Sequence, residues 1–593
     1  MCGIIGCAGR MSARQILLDG LARLEYRGYD SAGIALAGPT GISVVKTIHK
    51  VDALKRKAAA LPDGCAGIGH TRWATHGAVN EQNAHPHRWG RVTLVHNGII
   101  ENYDELRREL EVDGLVPQSQ TDTEIAAMLI DRLYQSDPAT AIHEATRRMR
   151  GAYTFAVLFE DRPDRIYAIH RQSPLTVMRV DGESLLASDV SALLPYGRRY
   201  AVPEDGAVCE LSASGIRCVG SDGRERALVE MRADWDGAAA GKNGYAHYML
   251  KEIEEQPEVL RRTIGRYARE GRVDFSTERV DAAIFEGVRR VYLLGCGTAM
   301  HAGLTARPFL EECAGVAVEV EIASEFLDRA ARVDPDGLYV LISQSGETAD
   351  TLAALRRVRA AGARHIAVIN AHGTAMERES ANVIHTQAGP EISVASTKAF
   401  TAQVAVLYLI ALKLADAPVG ALCRAGDLAA EAIAAKGAAF EAAVRLRDVR
   451  NMFYLGRGAD MALAQEGALK IKEISYLHAE AYAAGEMKHG VISLVEPGVP
   501  TVMLDTRPEG HEKALLCARE IRARGGEVIY ITMEGWPVDD ESADWVLRLP
   551  GPGGAMAVFP AAVCLQLIAY ECARLRGLPI DQPRNLAKSV TVA

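Results

Sequence analysis

The sequence predicts a mixed α+β sheet region over residues 1–236, followed by two copies of a parallel α/β domain at 280–418 and 441–583. Three observations carry this reading. The first 236 residues break into short β-rich runs separated by Gly, Asp and Pro. A small-residue stretch then interrupts the pattern. Beyond it, apolar strands alternate with helical segments of 10–15 residues, and blocks of sequence recur.

In the N-terminal region the β-rich runs fall at 67–70, 91–95, 153–158 and 165–169, with helical periodicity at 13–25, 103–111 and 122–135. Residues 237–245 read as a linker, because small flexible residues dominate Gly237-Ala238-Ala239-Ala240-Gly241. Residues 246–279 read as a connecting helical segment. The repeat is direct. Val288-Arg289-Arg290-Val291-Tyr292-Leu293-Leu294-Gly295-Cys296-Gly297 returns as Val449-Arg450-Asn451-Met452-Phe453-Tyr454-Leu455-Gly456-Arg457-Gly458, 161 residues later. Farther on, Arg359-Ala360-Ala361-Gly362 before an apolar run matches Arg522-Ala523-Arg524-Gly525 before another. The last ten residues, 584–593, form a tail.

Composition narrows the function. The 593 residues are 48% hydrophobic and carry a formal net charge of −9, with no basic stripe, which argues against a general nucleic-acid binder. The 11 cysteines include no Cys-x-x-Cys pair and resemble neither a zinc site nor a disulfide framework, so a reducing compartment is expected. No secretory leader is recognisable. The longest apolar stretch, near 404–414, is broken by Lys413 and too short to cross a bilayer. A cytoplasmic protein without membrane partners is the expectation.

Several residues could carry chemistry. Cys2 in Cys2-Gly3-Ile4-Ile5-Gly6 becomes the N-terminus if Met1 is removed. Its thiol is then a nucleophile with the α-amine, of ordinary pKa about 7.7–8.0, as a base on the same residue. Thr71-Arg72-Trp73-Ala74-Thr75-His76-Gly77 and His96-Asn97-Gly98 each follow a strand. Arg72 could clamp a carboxylate, and Asn97 with the Gly98 N–H could form an oxyanion hole, though Asn-Gly is also a common turn. Asp122 could hold an amino group or cap a helix. His70, His76, His85, His87 and His96 lack metal-ligand spacing, so no metal is expected. Ser343-Gln344-Ser345-Gly346-Glu347-Thr348, between a strand and a helix, suits a phosphate. Its counterpart in the second copy, Thr506-Arg507-Pro508-Glu509, loses a donor to proline. Glu466, Lys470 and Glu473 fall on one helix face.

Together these motifs resemble the glutamine–fructose-6-phosphate aminotransferase (isomerizing) family. The likeness includes Leu24-Glu25-Tyr26-Arg27-Gly28-Tyr29-Asp30-Ser31, Val394-Ala395-Ser396-Thr397-Lys398, His478-Ala479-Glu480-Ala481-Tyr482 and Pro583-Arg584-Asn585-Leu586-Ala587-Lys588-Ser589-Val590-Thr591-Val592. The resemblance implies an N-terminal-nucleophile glutaminase domain, two sugar isomerase (SIS) domains and a catalytic tail. It implies L-glutamine and fructose 6-phosphate as substrates, no cofactor and a homodimer. Cys2 would attack glutamine; Arg72, Trp73, Thr75, His76, His85 and Asp122 would surround it, with Trp73 gating an ammonia channel. Thr298, Ser343, Gln344, Ser345, Thr348, Val394 and Ser396 would hold the sugar phosphate. Lys588 would form a Schiff base, His489 of the partner subunit would open the ring, Glu473 would move the proton and Lys470 would assist. One departure is Ala299, where some members place a serine. A missing hydroxyl contact there would cost about 0.5–1.5 kcal/mol.

Overall fold

The computed structural model describes residues 2–38, 41–73, 77–232, 241–330 and 332–590. Two compact units emerge: residues up to 241 together with the tail from Ala587, and Lys242–Leu586.

The N-terminal unit contains two sheets, of eight and seven strands. The pleat decides the layering, because successive side chains point to opposite faces. In the strand Gly3–Ala8, Ile4 and Ala8 enter the core between the sheets, while Ile5 and Cys7 face the helix Ala13–Leu24. In Tyr153–Phe159, Ala156 and Leu158 face inward, while Phe155, Val157 and Phe159 pack under the helices Asp122–Leu133 and Pro138–Arg148. Four layers result, helix–sheet–sheet–helix.

One expectation about cysteines fails here. Cys209 and Cys218 sit directly opposite each other in the hairpin Val208–Ser212 and Gly215–Val219, with Cα atoms 4.0 Å apart, and form a disulfide. Spacing along the chain does not show this, because the pair is made by hairpin register. The other described cysteines are unpaired.

The second unit holds two five-stranded parallel sheets. In each the spatial order is 2-1-3-4-5 counted along the chain, so the repeat is a repeat of topology. The first strands, Arg290–Gly295 and Asn451–Gly456, keep the 161-residue offset, as do the 17-residue helices behind them, Thr298–Ala314 and Ala459–Ser475. Gly297 and Gly458 precede those helices at φ of 54° and 57°, a left-handed turn that favours glycine. The two helices pack together in one shared core with Lys398–Leu414 and Val558–Leu575. That packing turns Thr298 and His301 toward Glu466 and Lys470.

The apolar reading also needs correction. The segment Gly554–Leu575 is longer than 404–414, and by length and composition it could cross a membrane. It is 83% buried across its most apolar stretch, which is what a core helix of this unit requires.

Candidate active sites

In the N-terminal unit, Gly3–Ala8 pairs with Ala66–Arg72, and this brings the chain start beside Trp73. The Trp73 N–H donates to Cys2 Sγ at 3.2 Å, and the Asn97 amide donates to the Cys2 carbonyl at 2.9 Å. Asn97 is oriented by His70, whose Nε2 lies 3.1 Å from Asn97 Oδ1 and 2.9 Å from the His96 carbonyl. Gly98 has φ 115°, and a Cβ there would stand 2.0 Å from the Ala152 carbonyl, so only glycine fits this strand end. Burial pushes the Cys2 thiol above its ordinary 9.0, while the positive N-terminus, the Trp73 N–H and Arg72 pull the other way. Buried Arg72 reaches the carbonyls of Gly77 and Ala78 at 3.3 and 3.4 Å.

Thr121, not Asp122, accepts the Glu124 N–H and caps the helix Asp122–Leu133. Asp122 is thereby released from capping and accepts the Ile100 N–H at 2.9 Å. His85 is bridged to His96 through Thr123 Oγ1, 3.1 Å from each ring. Burial pulls His70 and His87 down to about 3, and burial with neighbouring imidazoles holds His85 well below the usual range. These rings are therefore neutral at pH 7, hydrogen-bonding struts rather than proton carriers. Sequence reasoning gave His70 and Thr123 no role. Thr75 and His76 lie outside the described residues.

In the second unit, the loops after Arg290–Gly295 and Leu338–Ser343 leave the carboxyl ends of neighbouring parallel strands, where open α/β sheets bind ligands. Buried Ser343 accepts the Gly346 N–H at 3.0 Å and lies 3.1 Å from Thr348 Oγ1; Ser345 Oγ lies 3.5 Å from the same hydroxyl. The helix Ala349–Ala360 starts directly behind them, so three hydroxyls and a positive helix end converge. The Gln344 carbonyl takes the N–H groups of Asn370 and Ala371, which fixes the loop.

Thr298 opens the acid–base cluster. Lys470 Nζ donates to Thr298 Oγ1 at 3.1 Å and lies 2.6 Å from Glu473 and 3.5 Å from Glu466. His301 Nδ1 is 2.8 Å from Glu466. Burial works against the Lys470 charge, but Glu466 and Glu473 outweigh it, so Lys470 stays an ammonium above the ordinary lysine value. Ser396 donates to Glu391 at 2.8 Å, and the Glu391 carboxylate also acts on Lys470. Buried Val394 is tied by its N–H to the Asp581 carbonyl. His301 and Glu391 went unnoticed in the sequence, since only packing brings them to the cluster. His489 is exposed at the end of the 3₁₀ turn Ala484–His489. Lys588 belongs to the tail grouped with the N-terminal unit.

A nucleophile held at a strand end in one unit and a doubled parallel α/β fold in the other define a class, and sequence families agree. The glutamine amidotransferase domain matches residues 70–195, and the SIS domain matches 284–413 and 445–575. The chain is 47% identical to the glutamine–fructose-6-phosphate aminotransferase (isomerizing) of Symbiobacterium thermophilum and 46% identical to that of Thermus thermophilus, each over the whole of both chains. Residues covering 58% of the chain match 99% of the C-terminal domain of glucosamine-fructose-6-phosphate aminotransferase from Francisella tularensis, at 36% identity and TM-score 0.55. The chain belongs to the glutamine–fructose-6-phosphate aminotransferase (isomerizing) family.

Proposed function

We propose that the protein transfers the amide nitrogen of L-glutamine to fructose 6-phosphate and isomerises the product to glucosamine 6-phosphate, releasing glutamate. The observation that carries this is the pairing, in one chain of this family, of Cys2 held by Trp73 and Asn97 with the Lys470–Glu473 cluster beside Thr298.

With Met1 removed, the Cys2 α-amine takes the thiol proton and sulfur attacks the glutamine amide carbon. Asn97 Nδ2 and the Gly98 N–H receive the oxyanion. Ammonia leaves, and water hydrolyses the thioester to glutamate. Arg72 and Asp122 supply opposite charges for the carboxylate and amino group of glutamine, with Trp73 and His85 as walls.

In the second half the phosphate rests on Ser343, Gln344, Ser345, Thr348 and the helix end behind them, with Val394 and Ser396 along the sugar. Lys588 condenses with the C2 carbonyl, losing water, and ammonia displaces the lysine. Glu473 takes a proton from C1 and returns it to C2, turning the ketose imine into the aldose amine. Lys470 supports the charge at the sugar oxygens. A homodimer, in which His489 of the partner subunit helps open the ring, completes the reading.

The test is incubation with amide-¹⁵N-glutamine and fructose 6-phosphate, using protein whose N-terminus is Cys2 by mass spectrometry. Labelled glucosamine 6-phosphate is expected. Cys2→Ala is expected to abolish the glutamine reaction yet still make product from free ammonia. Glutamate without aminosugar would overturn the choice of sugar.

A further inference from the structure

Among the described residues, one cluster outside both candidate sites has the donor set of a metal centre. We propose that His372, Glu377 and His385 bind one divalent transition-metal ion of the zinc type. Each offers one ligand atom, and these atoms lie within 4.8 Å of one another. Glu377 Oε1 stands 3.6 Å from His385 Nε2 and 3.9 Å from His372 Nδ1. Ligands on a tetrahedral ion with bonds of about 2.0–2.1 Å stand about 3.4 Å apart, so small side-chain shifts close the set.

The second shell supplies an independent argument. The His385 side chain is only 7% exposed, and its Nδ1 lies 2.9 Å from Glu278 Oε2. Glu278 in turn accepts from Arg266 Nε and Tyr267 Oη, each at 2.9 Å. A carboxylate on Nδ1 keeps the proton there and leaves the Nε2 lone pair free to ligate. That Nε2 is buried and has no hydrogen-bond partner. Glu377 is arranged likewise. Its Oε2 takes the Gly373 N–H at 2.5 Å, and Oε1 is the oxygen turned to the two imidazoles. The His372 and Glu377 side chains are 39% and 24% exposed, so an ion can enter and water can fill the fourth position. Two imidazoles and one carboxylate suit zinc, cobalt or nickel better than calcium or magnesium.

The placement ties the helix Ala375–Glu379 to the edge strand Val383–His385. The same helix start backs the phosphate loop, since the Met376 N–H donates to the Gly346 carbonyl and the Ala375 N–H to Glu347 Oε1. The ion would stiffen that support.

The test uses full-length protein, alkylated with iodoacetamide so that thiols do not compete, and stripped with chelator. Co²⁺ alone is titrated and followed by its visible absorption, and Zn²⁺ is counted by equilibrium dialysis. Glu377→Gln and His372→Gln, both at part-exposed positions, are each expected to lose one bound ion per chain. Glu278→Gln is expected to keep the site with about 10–100-fold weaker affinity. Equal ion counts in wild type and in Glu377→Gln and His372→Gln, or no binding at tens of micromolar Zn²⁺, would overturn the proposal and leave the cluster a hydrogen-bonded tie between the helix and the edge strand.

Discussion

The two parallel sheets of the second unit share strand order, helix lengths and a 161-residue offset, yet their equivalent loops are finished differently. In the first copy, the loop from Ser343 to Thr348 turns three hydroxyls toward a helix N-terminus. In the second, the corresponding loop is closed by its own chain. Asp460, at the position of Ala299, accepts the Thr506 N–H at 2.8 Å and the Thr506 hydroxyl at 2.5 Å. A buried carboxylate thus occupies the place an anion would need. The helices diverge in the opposite sense. Glu466, Lys470 and Glu473 of the second copy stand where the first has Thr305, Phe309 and Glu312. Duplication supplied two similar scaffolds; in the proposed function one holds the phosphate and the other carries the acid–base groups.

The sharpest way to break this division is at Glu473. Glu473→Gln is expected to slow aminosugar formation about 10²–10⁴-fold while glutamine hydrolysis persists. Glu312→Gln, the same change in the first copy, should leave both rates unchanged. Equal effects in the two helices would end the comparison.

Lys470 comes next. Lys470→Met removes a buried ammonium from between two carboxylates and is expected to cost about 3–5 kcal/mol in urea unfolding, because Glu466 and Glu473 are left facing each other. A loss under about 1 kcal/mol would mean the cluster is not an ion network.

Asp460 tests the closed loop through pH. Burial raises its carboxyl from 3.8 to about 6, so the folded protein holds a proton that the unfolded chain releases between those values. Its stabilising contribution is complete below pH about 4 and is lost as pH rises through about 6, by about 1–3 kcal/mol. Asp460→Asn should flatten that part of the stability–pH curve, leaving a smaller slope from Asp505, which burial also raises. An unchanged curve would show that Asp460 is not a buried carboxylate in solution.

The smallest effect concerns single hydroxyls. Ser343→Ala is expected to raise the KM for fructose 6-phosphate about 2- to 12-fold, the worth of one neutral hydrogen bond. Thr506→Ala should leave that KM unchanged. A larger shift from Thr506→Ala than from Ser343→Ala would reverse the assignment of the two loops.

Much of this was legible before the structure. The duplication showed as a near-constant offset, and the helix of the cluster showed as Glu466, Lys470 and Glu473 at i, i+4 and i+7, because local periodicity writes itself into sequence. The closing of the second loop was half legible. Pro508 announced a lost donor, but nothing in the chain announced that Asp460, 46 residues before Thr506, would fill the space. His301 with Glu466, His70 with Asn97 and Cys209 with Cys218 were hidden for the same reason. Each pair is made by packing or register between elements, and residue spacing does not encode which elements meet. The neutral histidines of the first unit show the complement. Their spacing gave no role, and only packing and burial reveal them as supports for Asn97 and Thr123.

The most direct measurement is a crystal structure of the protein with fructose 6-phosphate bound. The account predicts phosphate oxygens within hydrogen-bond distance of Ser343, Ser345 and Thr348, with C1 and C2 of the sugar beside Glu473. A phosphate seated on the Thr506–Arg507 loop, or a sugar remote from the Lys470–Glu473 cluster, would contradict it.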